Sequence, residues 1–223
     1  MIERILPPDV VAVEAVVDTV AQPHPDEAAL VARAVPRRRQ EFVTTRRCAR
    51  QALARLGCPP VAIGTGPRGE PLWPDGVVGS LTHCAGYRAA VVARAVRVSA
   101  VGIDAEPNEP LAPGVLDAVS SSAERADLAR YAGVCVDRLL FSAKESVYKA
   151  WFPAVGTFLD FGQASLRFTA DGAFTAELAV SAPEREASRA IWADGRPRGR
   201  WMVAGGLVLT AVVAGGHATT PHF

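Results

Sequence analysis

Asp104 and Glu106 stand two apart in VGIDAEP. On a strand, residues i and i+2 face the same side. Two carboxylates side by side repel unless a positive charge lies between them. A hard divalent cation meets that need, and Mg²⁺ is held by one or two carboxylates together with phosphate oxygens and water. The same pair also describes a solvated strand end, and the spacing leaves both readings open. In FSAKESVYKAW, Glu145 and Lys149 are four apart, the separation that shares one helix face. They read either as a surface ion pair or as a third carboxylate over a metal with a phosphate-binding ammonium. Lys144 lies beside Glu145 rather than on its face.

Lysine occurs only at Lys144 and Lys149; every other basic side chain is arginine. An Arg-favouring composition explains the arginines. The closeness of the two exceptions fits a site that uses an ammonium point charge rather than a guanidinium fork. In GSLTHCAGY, Ser80, Thr82 and His83 can bind phosphate through hydroxyl, imidazole and backbone N–H, or form a plain strand edge. A triad of Ser80, His83 and Asp104 lacks a nucleophile elbow and is set aside. Arg37, Arg38, Arg39, Arg46, Arg47 and Arg50 crowd one segment; they are either a solvated face or forks for ligand phosphates. Gly64, Gly66 and Gly69 spell GxGxxG, but Glu70-Pro71-Leu72-Trp73-Pro74 follows. No helix can open there, so the dinucleotide fingerprint is rejected. A loop curling over a nucleotide stays open.

These residues need elements to place them. Asp26-Glu27 can open a short helix. RRRQEFVTTRRCARQALARL has a helical period over 37–56, stopped by Gly57 and Pro59-Pro60. VVGSLTH reads as a strand, and YRAAVVARAVRVSAVGIDAE as two more, joined by a turn at 95–98 and ended by Pro107. Ser121 and Glu124 have capping-box spacing for a helix over 121–131. A stronger helix runs from Val136 to Trp151, closed by Pro153. ASLRFTADGAFTAELAV and GRWMVAGGLVLTAVVA, over 164–180 and 199–214, read as hairpin strands with Asp171-Gly172 and Gly205-Gly206 at the turns. Helix, strands, helices, strands is an α+β order.

The chain has 223 residues, 49% of them hydrophobic, and a net charge of +1. That is enough for a large core without staples. The balanced charge offers no field for nucleic acid or an anionic membrane. No run is long and apolar enough for a membrane span. Cys48, Cys58, Cys84 and Cys135 have no CxxC spacing, which suits reduced thiols in a cytoplasm.

Taken together, RRRQEF, GEPLWPDGVVGSLTHCAGY, VGIDAEP, FSAKESVYKAWFP and GGLVLTAVV resemble the Sfp-type 4′-phosphopantetheinyl transferases, over roughly residues 35 to 213. Closest in pattern is the bacterial subgroup that activates fatty-acid, polyketide and nonribosomal-peptide synthases. The resemblance implies a pseudo-dimer of two similar α+β halves, here 1–103 and 104–223, with coenzyme A in the cleft between them. It implies Mg²⁺, with Mn²⁺ as an alternative, on Asp104, Glu106 and Glu145. Lys144 and Lys149 would hold the pyrophosphate. Thr82 and His83, with Ser80 nearby, would lie at the phosphates. Arg38 and Arg46 would line the 3′-phosphoadenosine end, and Thr65, Gly66, Pro67 and Arg68 the adenine. The family often has a lysine in that loop; this chain has Thr65 and Arg68. Glu145, Lys149 and Asp104 would be catalytic. The partner would be an acidic acyl, peptidyl or aryl carrier protein, docking near Leu111, Leu116, Arg125 and Arg130, with the enzyme a monomer. Two rivals use the same residues: a metal-dependent nucleotide phosphohydrolase and a non-catalytic coenzyme A binding module.

Overall fold

A computed structural model describes residues 1–128, 131 and 133–215. Short 3₁₀ turns cover Ile2–Ile5 and Pro25–Val31. The first half is β1 (Val10–Ala15), α1 (Pro36–Arg55), β2 (Gly64–Thr65), β3 (Pro71–Leu72), β4 (Val77–Cys84) and β5 (Tyr87–Arg94). The second is β6 (Ala100–Pro107), α2 (Val115–Val119), α3 (Ser122–Leu128), α4 (Val136–Val155), β7 (Ala164–Phe168), β8 (Ala173–Leu178), α5 (Ala182–Ile191), β9 (Arg198–Ala204) and β10 (Leu207–Ala214).

The halves share one plan. β1–α1–β4–β5 gives the antiparallel order β1-β5-β4, and β6–α4–β9–β10 gives β6-β10-β9, which β8 and β7 extend. This is the α+β pseudo-dimer. An expected boundary after residue 103 falls inside β6, which pairs with β10 along its whole length from Ala100 to Pro107.

Strand alternation explains the layering. Ala89, Val91 and Ala93 of β5 face Val101, Ile103 and Ala105 of β6 and Leu209 and Ala211 of β10, in a cluster shared by both sheets. Ala90 and Val92 point the other way, to Ala49, Ala52 and Leu53 of α1. On the far side, Leu139, Leu140, Ala143, Val147 and Trp151 of α4 cover Ala100, Val208 and Val212. Each fully buried leucine there contributes about 1.5–3 kcal/mol.

Two details position the site. The sheets meet at β4 and β6 through hydroxyls: Ile103 N–H donates to Ser80 Oγ and Ala105 N–H to Thr82 Oγ1, both at 3.0 Å. Gly102 lets α4 lie directly on β6, since a Cβ there would stand 2.0 Å from the Ser146 carbonyl oxygen. That close approach puts Asp104 and Glu106 under α4.

The structure moves some expected boundaries. α4 runs through Pro153 to Val155 and ends at Gly156, φ 79°, because a proline in the last turn forfeits only its own N–H bond and glycine accepts the left-handed cap. α5 stands between the two expected hairpin segments, where no element was expected; Ser181 and Glu184 form its capping box. The turns at Gly172 and Gly205-Gly206 are present. Arg130 lies outside the described residues. No helix among the described residues is long and apolar enough to cross a membrane.

Candidate active site

A cavity of about 460 Å³ opens where α1 of the first half faces α4 of the second. Eight of the expected residues meet on its walls: Arg38 and Arg46 from α1, Thr65 and Arg68 from the β2–β3 loop, Ser80 and His83 from β4, and Glu145 and Lys149 from α4. Gly66 and Pro67 are not on the wall; Gly66 sits in the tight turn, accepting from Gly69 N–H at 3.0 Å and donating to Glu70 O at 2.8 Å.

At the α1 side, Arg38 Nη1 abuts His83 Nε2, and Glu41 Oε2 lies 3.7 Å from Arg38 and 3.9 Å from His83. Arg88, itself paired to Asp18 at 2.9 Å, approaches Glu41 at 3.5 Å. Burial first, then the neighbouring Arg38 charge, lowers the His83 pKa to about 4. The imidazole is therefore neutral near pH 7 and an arginine stands beside it. Arg46 is buried over the Phe42 ring at 3.5 Å and donates to Ile63 O and Thr65 Oγ1. Burial lowers its pKa to about 10, so it stays charged.

At the α4 side, Lys149 Nζ donates to Asp104 Oδ1 at 2.6 Å, and Thr82 Oγ1 donates to the same oxygen at 3.2 Å. Asp104 Oδ2 is buried without a partner. Burial opposes the charge of Lys149, but Asp104, Glu145 and Glu106 outweigh it and raise its pKa. Burial also raises the pKa of Glu145, with Lys149 opposing. Glu106 pairs with Arg138 at 3.0 Å. Burial and the nearby Asp104 raise its pKa against that arginine.

Five expected site residues, Asp104, Glu106, Ser80, Thr82 and Lys144, have partners within the protein. Among the described residues no three acidic, histidine or cysteine side chains converge as metal ligands, and Lys149 and Arg138 pair with Asp104 and Glu106. Ser80 and Thr82 use their hydroxyls in the β4–β6 seam. Lys144 is turned away from the cavity. Its side chain is 2% exposed, 3.0 Å from Glu124 Oε1, and donates to Phe161 O at 2.9 Å. Glu124 also caps α3 through Ser121 and accepts from Leu166 N–H at 2.9 Å. The adjacent position in sequence is a 100° turn on a helix, which separates Lys144 from Glu145 and explains the outcome.

Sequence reading missed Tyr148 and Phe152, which line the cavity and stack on each other at 5.7 Å. They follow Glu145 by three and seven, the same helix face. It also missed the roles of Glu27, a buried acid whose partners are distant in sequence, and of half-buried Glu41, which meets Arg37 and Arg38 on its own helix as well as His83 and Arg88.

The matches with known proteins follow the same division. Residues 26–93 match the family model for the 4′-phosphopantetheinyl transferase N-terminal domain, and residues 100–205 match that for the 4′-phosphopantetheinyl transferase superfamily. The 4′-phosphopantetheinyl transferase Svp of Streptomyces mobaraensis is 51% identical over 99% of this chain and 92% of its own length. PptT of Mycobacterium tuberculosis is 51% identical over 86% of each chain. Npt of Nocardia iowensis is 46% identical over 95% of this chain and 99% of its own. The chain belongs to the 4′-phosphopantetheinyl transferase superfamily.

Proposed function

We propose that this member of the superfamily transfers the 4′-phosphopantetheine arm of coenzyme A to a serine of a carrier protein, using the cleft between its halves. The observation that carries the reading is the cavity itself. One wall presents arginines and a histidine, the other an acid and a lysine backed by Asp104.

The serine Oγ attacks the phosphorus that bears pantetheine, and the bond to the bridging oxygen breaks, releasing 3′,5′-ADP. The serine proton needs an acceptor. Glu145 reaches the cavity, and its raised pKa makes it a stronger base than a solvated glutamate. Lys149 presents its ammonium to the charge that builds on the phosphoryl and leaving oxygens. Preorganised charge of this kind is often the largest catalytic contribution. Arg38, His83, Arg46, Thr65 and Arg68 bind the 3′-phosphoadenosine end.

Mg²⁺ belongs to this proposal, with Mn²⁺ as the alternative. The all-oxygen donor set suits a hard cation, and the unpartnered, buried Asp104 Oδ2 is the oxygen best prepared for it. Asp104, Glu106 and Glu145 would hold the ion, which would supply Lewis-acid neutralisation of phosphoryl charge. Lys149 and Arg138 would then share their carboxylates. Lys144, in its buried pair, acts on the site by holding α4 to α3 and β7 rather than by touching phosphate.

The carrier is proposed to be acidic and to dock beside the end of β6, where Leu111 and Leu116 are half-buried and Arg125 pairs with exposed Asp117. A cleft lined by one chain supports a monomer. Free cysteines at Cys48, Cys58, Cys84 and Cys135 support a reducing, cytoplasmic location. Intact-protein mass spectrometry of an apo carrier with coenzyme A and Mg²⁺ tests the reaction. One added phosphopantetheine, lost with EDTA or with serine-to-alanine in the carrier, supports it. Release of 3′,5′-ADP without carrier modification would favour the phosphohydrolase, and neither product would favour a binding module.

A further inference from the structure

Glu27 is fully buried on the 3₁₀ turn Pro25–Val31, away from the cavity wall. Its Oε1 accepts from Arg50 Nη1 at 2.6 Å and from Ile63 N–H at 2.8 Å. The other face of Ile63 is gripped as well, since its carbonyl accepts from Arg46 Nε at 3.1 Å. Arg46 Nη2 then reaches Thr65 Oγ1 at 2.8 Å. One carboxylate thus ties together three pieces of the nucleotide wall: the turn that carries Leu30 and Val31, the helix that carries Arg46, and the strand that opens the Thr65–Arg68 loop.

The charges make this more than a staple. Glu27 lies in ion-pair contact with Arg50, not with Arg46. Its hydrogen-bonded route to Arg46 runs through the Ile63 peptide, and its charge also acts on Arg46 across space. Two guanidinium groups and one carboxylate leave one net positive charge, and the ion-pair contact is made by Arg50 rather than by the arginine that lines the cavity. A direct Glu27–Arg46 pair would fix Arg46 equally well and neutralise it toward an anion.

We infer that Glu27 is a positioning residue for coenzyme A, fixing Arg46 and the Thr65–Arg68 loop against the nucleotide end without itself occupying the Arg46 guanidinium that would meet ligand phosphate. The inference rests on the proposed reading of the cleft. Glu27→Gln should raise the KM for coenzyme A about tenfold, the size of one lost charge-assisted hydrogen bond. Both kcat and the KM for the carrier should stay within about twofold. Amide exchange over 63–69 should speed up in the free variant and slow again with coenzyme A. Glu27→Asp keeps the charge at Arg50 but withdraws the carboxylate from the Ile63 amide, so it folds more safely and should shift the same KM in the same direction.

Both variants with the wild-type KM for coenzyme A would overturn the inference. So would kcat and both KM values worsening together, which is the pattern of general damage. Wild-type protein without any transfer would sink the reading of the cleft and this inference with it. Wild-type transfer beside unaltered variants would sink the inference alone.

Discussion

The two walls of the cleft are built on one plan and are used differently. In each half a helix packs across a three-strand unit, α1 on β1-β5-β4 and α4 on β6-β10-β9. On the first wall the charged groups are arginines held by acids behind them, Glu27 and Glu41. On the second wall the order is reversed: carboxylates on β6 hold a lysine in front. The first arrangement presents fixed positive charge, which suits binding. The second presents an acid and an ammonium together, which suits proton transfer beside a charged leaving group. Under the proposed function, the duplicated scaffold divides binding from chemistry.

The same division appears within α4, between its two lysines. Lys144 is 2% exposed and paired to Glu124; Lys149 is 28% exposed and paired to Asp104 at the cavity. Five residues of helix turn one lysine into a buried strut and bring the other to the cavity wall.

The comparison can be broken most severely at Asp104, which is engaged by Lys149 and Thr82 together. Asp104→Ala should cut transfer by about 10²–10³-fold, read as phosphopantetheinylated carrier per minute. Activity near wild type would show that the second wall does no chemistry. Next in size, Lys144→Met leaves Glu124 buried without its cation and should cost about 3–5 kcal/mol in urea unfolding. Per folded molecule it should transfer normally. Lys149→Met should lose transfer and also stability, since it leaves buried Asp104 with the Thr82 bond alone. If both lysine variants lost activity without losing stability, Lys144 would be a site residue after all.

The smallest effect concerns His83. Its pKa falls to about 4 in the folded chain, against roughly 6.5 when unfolded. The unfolded state therefore binds more protons between those values, and stability from this group is lost as pH drops from about 6.5 toward 4. His83→Gln should flatten that part of the stability profile of the free protein. An unchanged slope would remove the electrostatic picture of the Arg38–His83 corner.

Much of this was legible in the sequence where the physics is local. The period of 37–56 marks α1, observed as Pro36–Arg55. The i,i+2 acids do share the β6 face under α4, and Glu145 and Lys149 do share a helix face at the cavity. The Ser121–Glu124 box forms as its spacing indicates. Serine, proline and glutamate at 181, 183 and 184 carried an equally good signal for α5, overlooked among strand-like neighbours. What local pattern could not show was the partner of a side chain. Lys144 meets an acid 20 residues away, Glu27 an amide 36 away, and Ser80 and Thr82 amides 23 away. Such pairings are decided by how the halves dock, which no window of sequence contains.

The division of labour is tested most directly by single-turnover transfer, followed by mass spectrometry across a range of coenzyme A concentrations, for Arg38→Gln and Glu145→Gln side by side. The account predicts that Arg38→Gln needs about tenfold more coenzyme A to reach a nearly normal rate. Glu145→Gln should saturate normally and turn over about 10²–10⁴-fold more slowly. The opposite pattern, or equal loss of affinity and rate in both variants, would contradict the separation of a binding wall from a chemical one.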